Sequence, residues 1–68
     1  MSDLAKTAKA IKIAMIQAEL NPQQLADVLG KNVSTVSRWR SHGCNSLTQL
    51  HEIARACGMT YTDLMELG

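Results

Sequence analysis

The chain has 68 residues, 46% of them hydrophobic but only 3% aromatic, with a formal net charge of +1. That length holds one domain, and a single core of this size rarely supplies more than about 3–5 kcal/mol, so a metal, a disulfide framework or a partner subunit is expected to help. Cys44 and Cys57 are the only cysteines, and the start MSDLAKTAKA carries no long apolar run. These features exclude a secreted disulfide scaffold and a membrane span, and they place the chain in the cytoplasm with reduced thiols.

Five short helices are predicted, with no strand. The first runs from about Asp3 to Ala18. Ser2 fits its N-cap and Asp3 the positive end of its dipole. Leu4, Ala8, Ile11 and Met15 share its buried face, and Ile13 falls near the opposite side. The second opens on Asn21-Pro22-Gln23-Gln24, a capping box with proline at the first helical position. Leu25, Val28 and Leu29 form its apolar stripe with Ala26 beside it, and Gly30 ends it. The third begins after Asn32 and runs from about Val33 to Arg40. Its apolar stripe is Val36 and Trp39, one turn apart, so most of its surface must face outward. A loop from His42 to Asn45 follows. Ser46 caps the fourth helix, with Gln49 completing a second box. Leu47, Leu50, Ile53, Ala54 and Cys57 form its buried side, and Gly58 stops it. Thr60 caps the fifth with Asp63, and Met59, Leu64 and Leu67 are its core contacts.

Two short helices joined by a glycine-containing turn form a helix-turn-helix, here about residues 21–40. Ala26 is small where the two helices cross. Leu25, Leu29, Val36 and Trp39 are apolar where the pair packs on the remaining helices. The charge is placed to match. Between Gly30 and Asn45 the charged residues are Lys31, Arg38 and Arg40, with His42 beside them and no carboxylate. A local basic stretch on a near-neutral chain is an electrostatic footprint for nucleic acid, and equally the mark of a solvated helix face.

LADVLGKNVSTVSRW, followed by LTQLHEIARACGMTYTDLMEL, resembles the Cro/repressor-type (XRE) helix-turn-helix family. The resemblance covers nearly the whole chain. It implies a lambda-repressor-like domain that regulates transcription by binding double-stranded DNA, most like a small phage Cro repressor, in the cytoplasm of a bacterial host if phage-encoded. Base reading then falls on Asn32, Val33, Ser34, Ser37 and Arg38. Arg38 suits guanine O6 and N7, and Val33 a thymine methyl. Phosphate contacts fall on Gln23, Gln24, Lys31, Thr35 and Arg40, which position the protein without reading sequence. Lys6 is a weaker candidate for the same role. Two positions depart from the family pattern. Pro22 stands where many members have a phosphate-contacting Gln, and Lys31 follows the turn glycine where an apolar residue is usual.

A homodimer, at least on DNA, is expected, with Met59, Tyr61 and Met65 as candidates for its surface. No cofactor, no enzyme activity and no small-molecule effector are expected. The alternative is a protein-interaction module, such as an antirepressor, antitoxin or accessory subunit, and the near-neutral charge favours it. Zinc on His42, Cys44, His51 and Cys57 fits no familiar ligand spacing. A Cys-His nucleophile lacks an orienting third group. Met15, Met59 and Met65 fit core filling better than an adaptable binding surface.

Overall fold

Local start and stop signals divide the chain into five helices. The computed structural model describes residues 3–68, with side chains from Leu4 onward. In order come α1 (Asp3–Gln17), α2 (Pro22–Leu29), α3 (Val33–His42), α4 (Leu47–Ala56) and α5 (Tyr61–Glu66). The all-α architecture expected from the sequence is the one found. The Ser2 cap and the Asp3 side chain lie outside the described residues.

The capping boxes of α2 and α5 form in full, Asn21 with Gln24 and Thr60 with Asp63. Each satisfies backbone N–H groups that a helix start leaves without partners. Gly58 stops α4 at φ 76°, where the Met59 N–H bonds the Ala54 carbonyl at 2.9 Å. α1 ends the same way without glycine. Glu19 takes φ 57°, and Leu20 donates to the Met15 carbonyl at 2.9 Å. The box at α4 is only half made. Ser46 accepts from the Gln49 N–H at 3.5 Å, but Gln49 does not reach back, and its Oε1 is buried with no partner.

The largest fully buried side chains are Ile11, Leu25, Val36, Ile53 and Leu64, one from each helix. Around them close Ala10, Ala14, Met15, Ala26, Leu50 and Ala54. α1 packs on both α3 and α5, so its buried side is wider than a single stripe and includes Thr7 as well as the alanines. Several apolar residues assigned to the core from periodicity lie outside it. Leu4 is 38% exposed at the rim of the bundle, Val28 62% and Leu47 58%. Val28 sits about a quarter turn from the Leu25–Ala26–Leu29 stripe, and Leu47 lies in the first turn of α4 beside an open groove. Ile13 is half-buried, and Ile16 is the isoleucine that α1 exposes, at 69%.

Both cysteines are free. Cys44, in the loop expected after α3, is buried at 4% exposure. Cys57 is half-buried at the end of α4, and burial pushes its thiol above the ordinary range.

Candidate nucleic-acid interface

The α2–α3 unit is built from three local choices. Pro22 at the first position and the Asn21–Gln24 box fix where α2 starts. Gly30 takes φ 69°, ψ 33°, and Lys31 then donates to the Ala26 carbonyl at 2.9 Å, which reverses the chain after α2. The left-handed conformation alone demands glycine there, because a Cβ would meet nothing within 4 Å. Ala26 and Leu25 are fully buried beneath the turn, with Val36 of α3 against them in the core. Two requirements are thereby met at once: a tight turn and a close helix crossing.

α3 reaches two residues further than the sequence pattern indicates, to His42, and Gly43 closes it by donating to the Trp39 carbonyl at 2.8 Å. Only Val36 is fully buried, with Trp39 half-buried beside it. The opposite side is continuous. Ser34 and Arg38 are exposed and Ser37 is half-buried, and the added turn brings exposed Ser41 onto the same face, seven residues after Ser34. Sequence reading missed Ser41 because it ended the helix at Arg40. The glycine at 43, rather than the loss of apolar spacing, was the better stop signal.

Val33, at 40% exposure, and Asn32 sit at the open start of α3. Asn32 has the extended backbone of an N-cap, but its side chain makes no cap bond, so its amide remains available. Thr35 is half-buried on one flank and Arg40 exposed on the other. Lys31 is exposed in the turn. Among the described residues, no ion pair or hydrogen bond holds the side chains of Lys31, Arg38 or Arg40. Arg38 therefore does not have the carboxylate partner that a plain surface arginine often takes.

The α2 glutamines differ from each other. Gln24 gives its Oε1 to the Asn21 N–H at 2.9 Å and keeps its NH2 as a donor. Gln23 donates its NH2 to Asp27 Oδ1 at 3.0 Å, so a phosphate would have to displace that carboxylate. The site residues thus fall into one group on α3 and its turn, exposed except for half-buried Thr35 and Ser37, and a second group at the start of α2.

A concavity lies elsewhere. An open groove of about 470 Å³ lies between α1, the 44–47 segment and α5, lined by Leu4, Lys6, Cys44, Leu47, Tyr61 and Met65. Met59 lines a different depression, with Gln17, Cys57 and Leu67. The three residues expected to share a dimer surface are therefore divided between two places. His51 of α4 stacks on Tyr61, ring centroids 4.6 Å apart. Among the described residues no group of three or more His, Cys, Asp or Glu is placed to hold a metal, and no helix is long and apolar enough to cross a membrane.

A five-helix domain with a glycine turn, a crossing at Ala26 and an outward polar helix is a helix-turn-helix DNA-binding domain. A family model described as the Cro/C1-type HTH DNA-binding domain matches residues 10–67, and the chain belongs to that family. No curated protein matches it. Among solved structures, it is similar to the chain of a crystal structure of apo-HppE, with 28% identity and a TM-score of 0.80. That likeness covers 90% of this chain and 35% of the other, so the chain spans about a third of the length of the structure it matches.

Proposed function

We propose that residues 1–68 act as one domain that regulates transcription by reading a specific DNA sequence, in the manner of a phage Cro repressor. α3 enters the major groove. Arg38 reads guanine, Ser34 and Ser37 bond base edges beside it, Val33 packs on a thymine methyl, and Asn32 assists at the helix start. Lys31, Thr35, Arg40 and the Gln24 NH2 bind flanking phosphates, with Gln23 joining once it leaves Asp27. The observation that carries this reading is the face formed by Ser34, Ser37 and Arg38, solvent-facing and with its arginine unpaired.

The protein binds as a homodimer on a pseudo-palindromic operator and represses by covering a promoter. Its half-sites lie about 34–36 Å apart, one turn of duplex. The groove rimmed by Leu4 and Leu47, with Tyr61 and Met65 in its wall, supports the dimer surface better than Met59 does. No bound effector is required, and the protein works in the cytoplasm.

Replacing Arg38 with Ala tests the reading. Affinity for the specific site should fall by about 1–3 kcal/mol with preference relaxed at one base pair, while affinity for random duplex changes little. Binding should also weaken steeply as salt rises. Unchanged affinity and preference in Arg38→Ala would remove α3 from base reading and favour the protein-interaction alternative.

A further inference from the structure

α3 packs on α1 and α2 through a narrow apolar stripe and is also tied at both ends. It is ten residues long, about 15 Å by helix rise, and only Val36 is fully buried along it. At its start the Gly30 turn fixes it to α2. At its other end the chain is pinned to the first turns of α1. Thr7, 4% exposed, donates its hydroxyl to the Leu4 carbonyl at 2.8 Å. The same oxygen accepts the backbone N–H of Cys44 at 3.0 Å, a buried bond between residues 37 apart in sequence. Gly43, the residue that closes α3, lies so near the Leu4 carbonyl that a Cβ would collide with it and stand 2.7 Å from Thr7 Oγ1. Cys44 Sγ completes the loop by donating to the Ser46 carbonyl at 3.7 Å.

One hydroxyl therefore does two things. Its proton is committed to the carbonyl of its own helix, which turns a lone pair toward the loop that leaves α3. No other side chain bonds the Cys44 N–H. Without the hydroxyl that N–H is buried with nothing to accept it, and the loop must move outward to find water. Such a movement tilts α3 about its turn-anchored start. Binding constellations need their groups held within about 0.5 Å, so a small tilt displaces Arg38 from a base edge while leaving phosphate contacts, which tolerate more, largely in place.

We propose that Thr7 is a positioning residue for DNA reading: through Cys44 it sets the angle of α3, although it faces the core and touches no DNA. This rests on the reading of α3 as the base-contacting helix. The prediction concerns specificity, which a purely structural role would leave alone.

The test compares the full chain with Thr7→Val, which keeps the side-chain shape and removes the hydroxyl, and Thr7→Ser, which keeps the hydroxyl. Amide hydrogen exchange on the free protein comes first. In Thr7→Val the Gly43 and Cys44 amides should exchange about tenfold faster relative to those of Ile53 and Leu64, and Thr7→Ser should restore them. Affinities for a selected operator and for random duplex come second. The ratio of specific to random binding should fall about tenfold in Thr7→Val, with random binding nearly unchanged, and recover in Thr7→Ser. Should Thr7→Val not fold, Thr7→Ala, which removes the same hydroxyl, serves in both measurements. Unaltered relative exchange at Gly43 and Cys44 would overturn the anchor. Faster exchange with an unchanged specificity ratio would leave the anchor structural and overturn the positioning role. If the wild-type chain selects no operator, the DNA-reading proposal fails and takes the positioning role with it, while the exchange result still decides the anchor.

Discussion

α3 and α4 are each ten residues long, yet they bury very different shares of their surface. α4 fully or nearly buries Leu50, Ile53 and Ala54 along its length. α3 buries Val36 and part of Trp39, and gives most of its surface to Ser34, Ser37, Arg38 and Ser41. α4 is secured by a broad apolar face, whereas α3 packs on α1 and α2 through a narrow one and is tied at its ends as well. A helix with so narrow an apolar stripe leaves part of its placement to the turn before it and the loop after it. Gly30 and Gly43 mark those two points, and they differ in kind.

The two glycines give the sharpest way to break that comparison. Gly43→Ala meets both a positive φ of 95° and the backbone of Leu4, and should cost about 2–4 kcal/mol in urea unfolding. Gly30→Ala meets open space and only the strain of φ 69°, so about 1–2 kcal/mol is expected. Equal costs would show that the loop after α3 yields easily and does not anchor the helix.

Caps refine the same contrast on a smaller scale. Asn21→Ala removes a formed cap bond and half of a box, and should lower stability by about 0.5–2 kcal/mol. Asn32→Ala removes a side chain that makes no cap bond, and should leave the unfolding midpoint nearly unchanged while weakening operator binding. A stability loss at Asn32 as large as that at Asn21 would mean that Asn32 serves the helix and not a ligand.

The smallest effect belongs to α4. Burial raises the Cys57 thiol, so the folded state favours its neutral form. The unfolded chain ionises first as pH rises. Stability should therefore be full below the ordinary thiol range and decline slightly through it, until the folded thiol also ionises. Cys57→Ala should abolish that decline in unfolding curves measured across alkaline pH.

What the sequence made legible was mostly local. The boxes at Asn21 and Thr60, the stops at Gly30 and Gly58, and the small residue at Ala26 each follow from chemistry within a few residues, and each is found in place. The polar outer face of α3 was legible for the same reason, since a helix whose apolar stripe is Val36 and Trp39 has little else to bury. Periodicity failed at the margins. Val28 and Leu47 keep helical spacing but sit at the edge of their stripes, where the position of a neighbouring helix decides burial. Asn32 and Gln49 have the right residue types for caps and do not complete them, because side-chain conformation decides that step. The Thr7–Cys44 bond was invisible because its partners lie 37 residues apart and neither belongs to a local pattern. The base-reading and phosphate-contacting roles themselves come from family resemblance and the chemistry of the exposed residues.

Selection of binding sites from random duplex DNA by the intact chain, at near-physiological salt, tests the central claim most directly. The account predicts a two-fold symmetric motif with half-sites one helical turn apart, containing a G·C pair whose preference relaxes in Arg38→Ala. Recovery of no motif by folded protein at micromolar concentration would contradict it, and would make a protein partner the ligand of this domain.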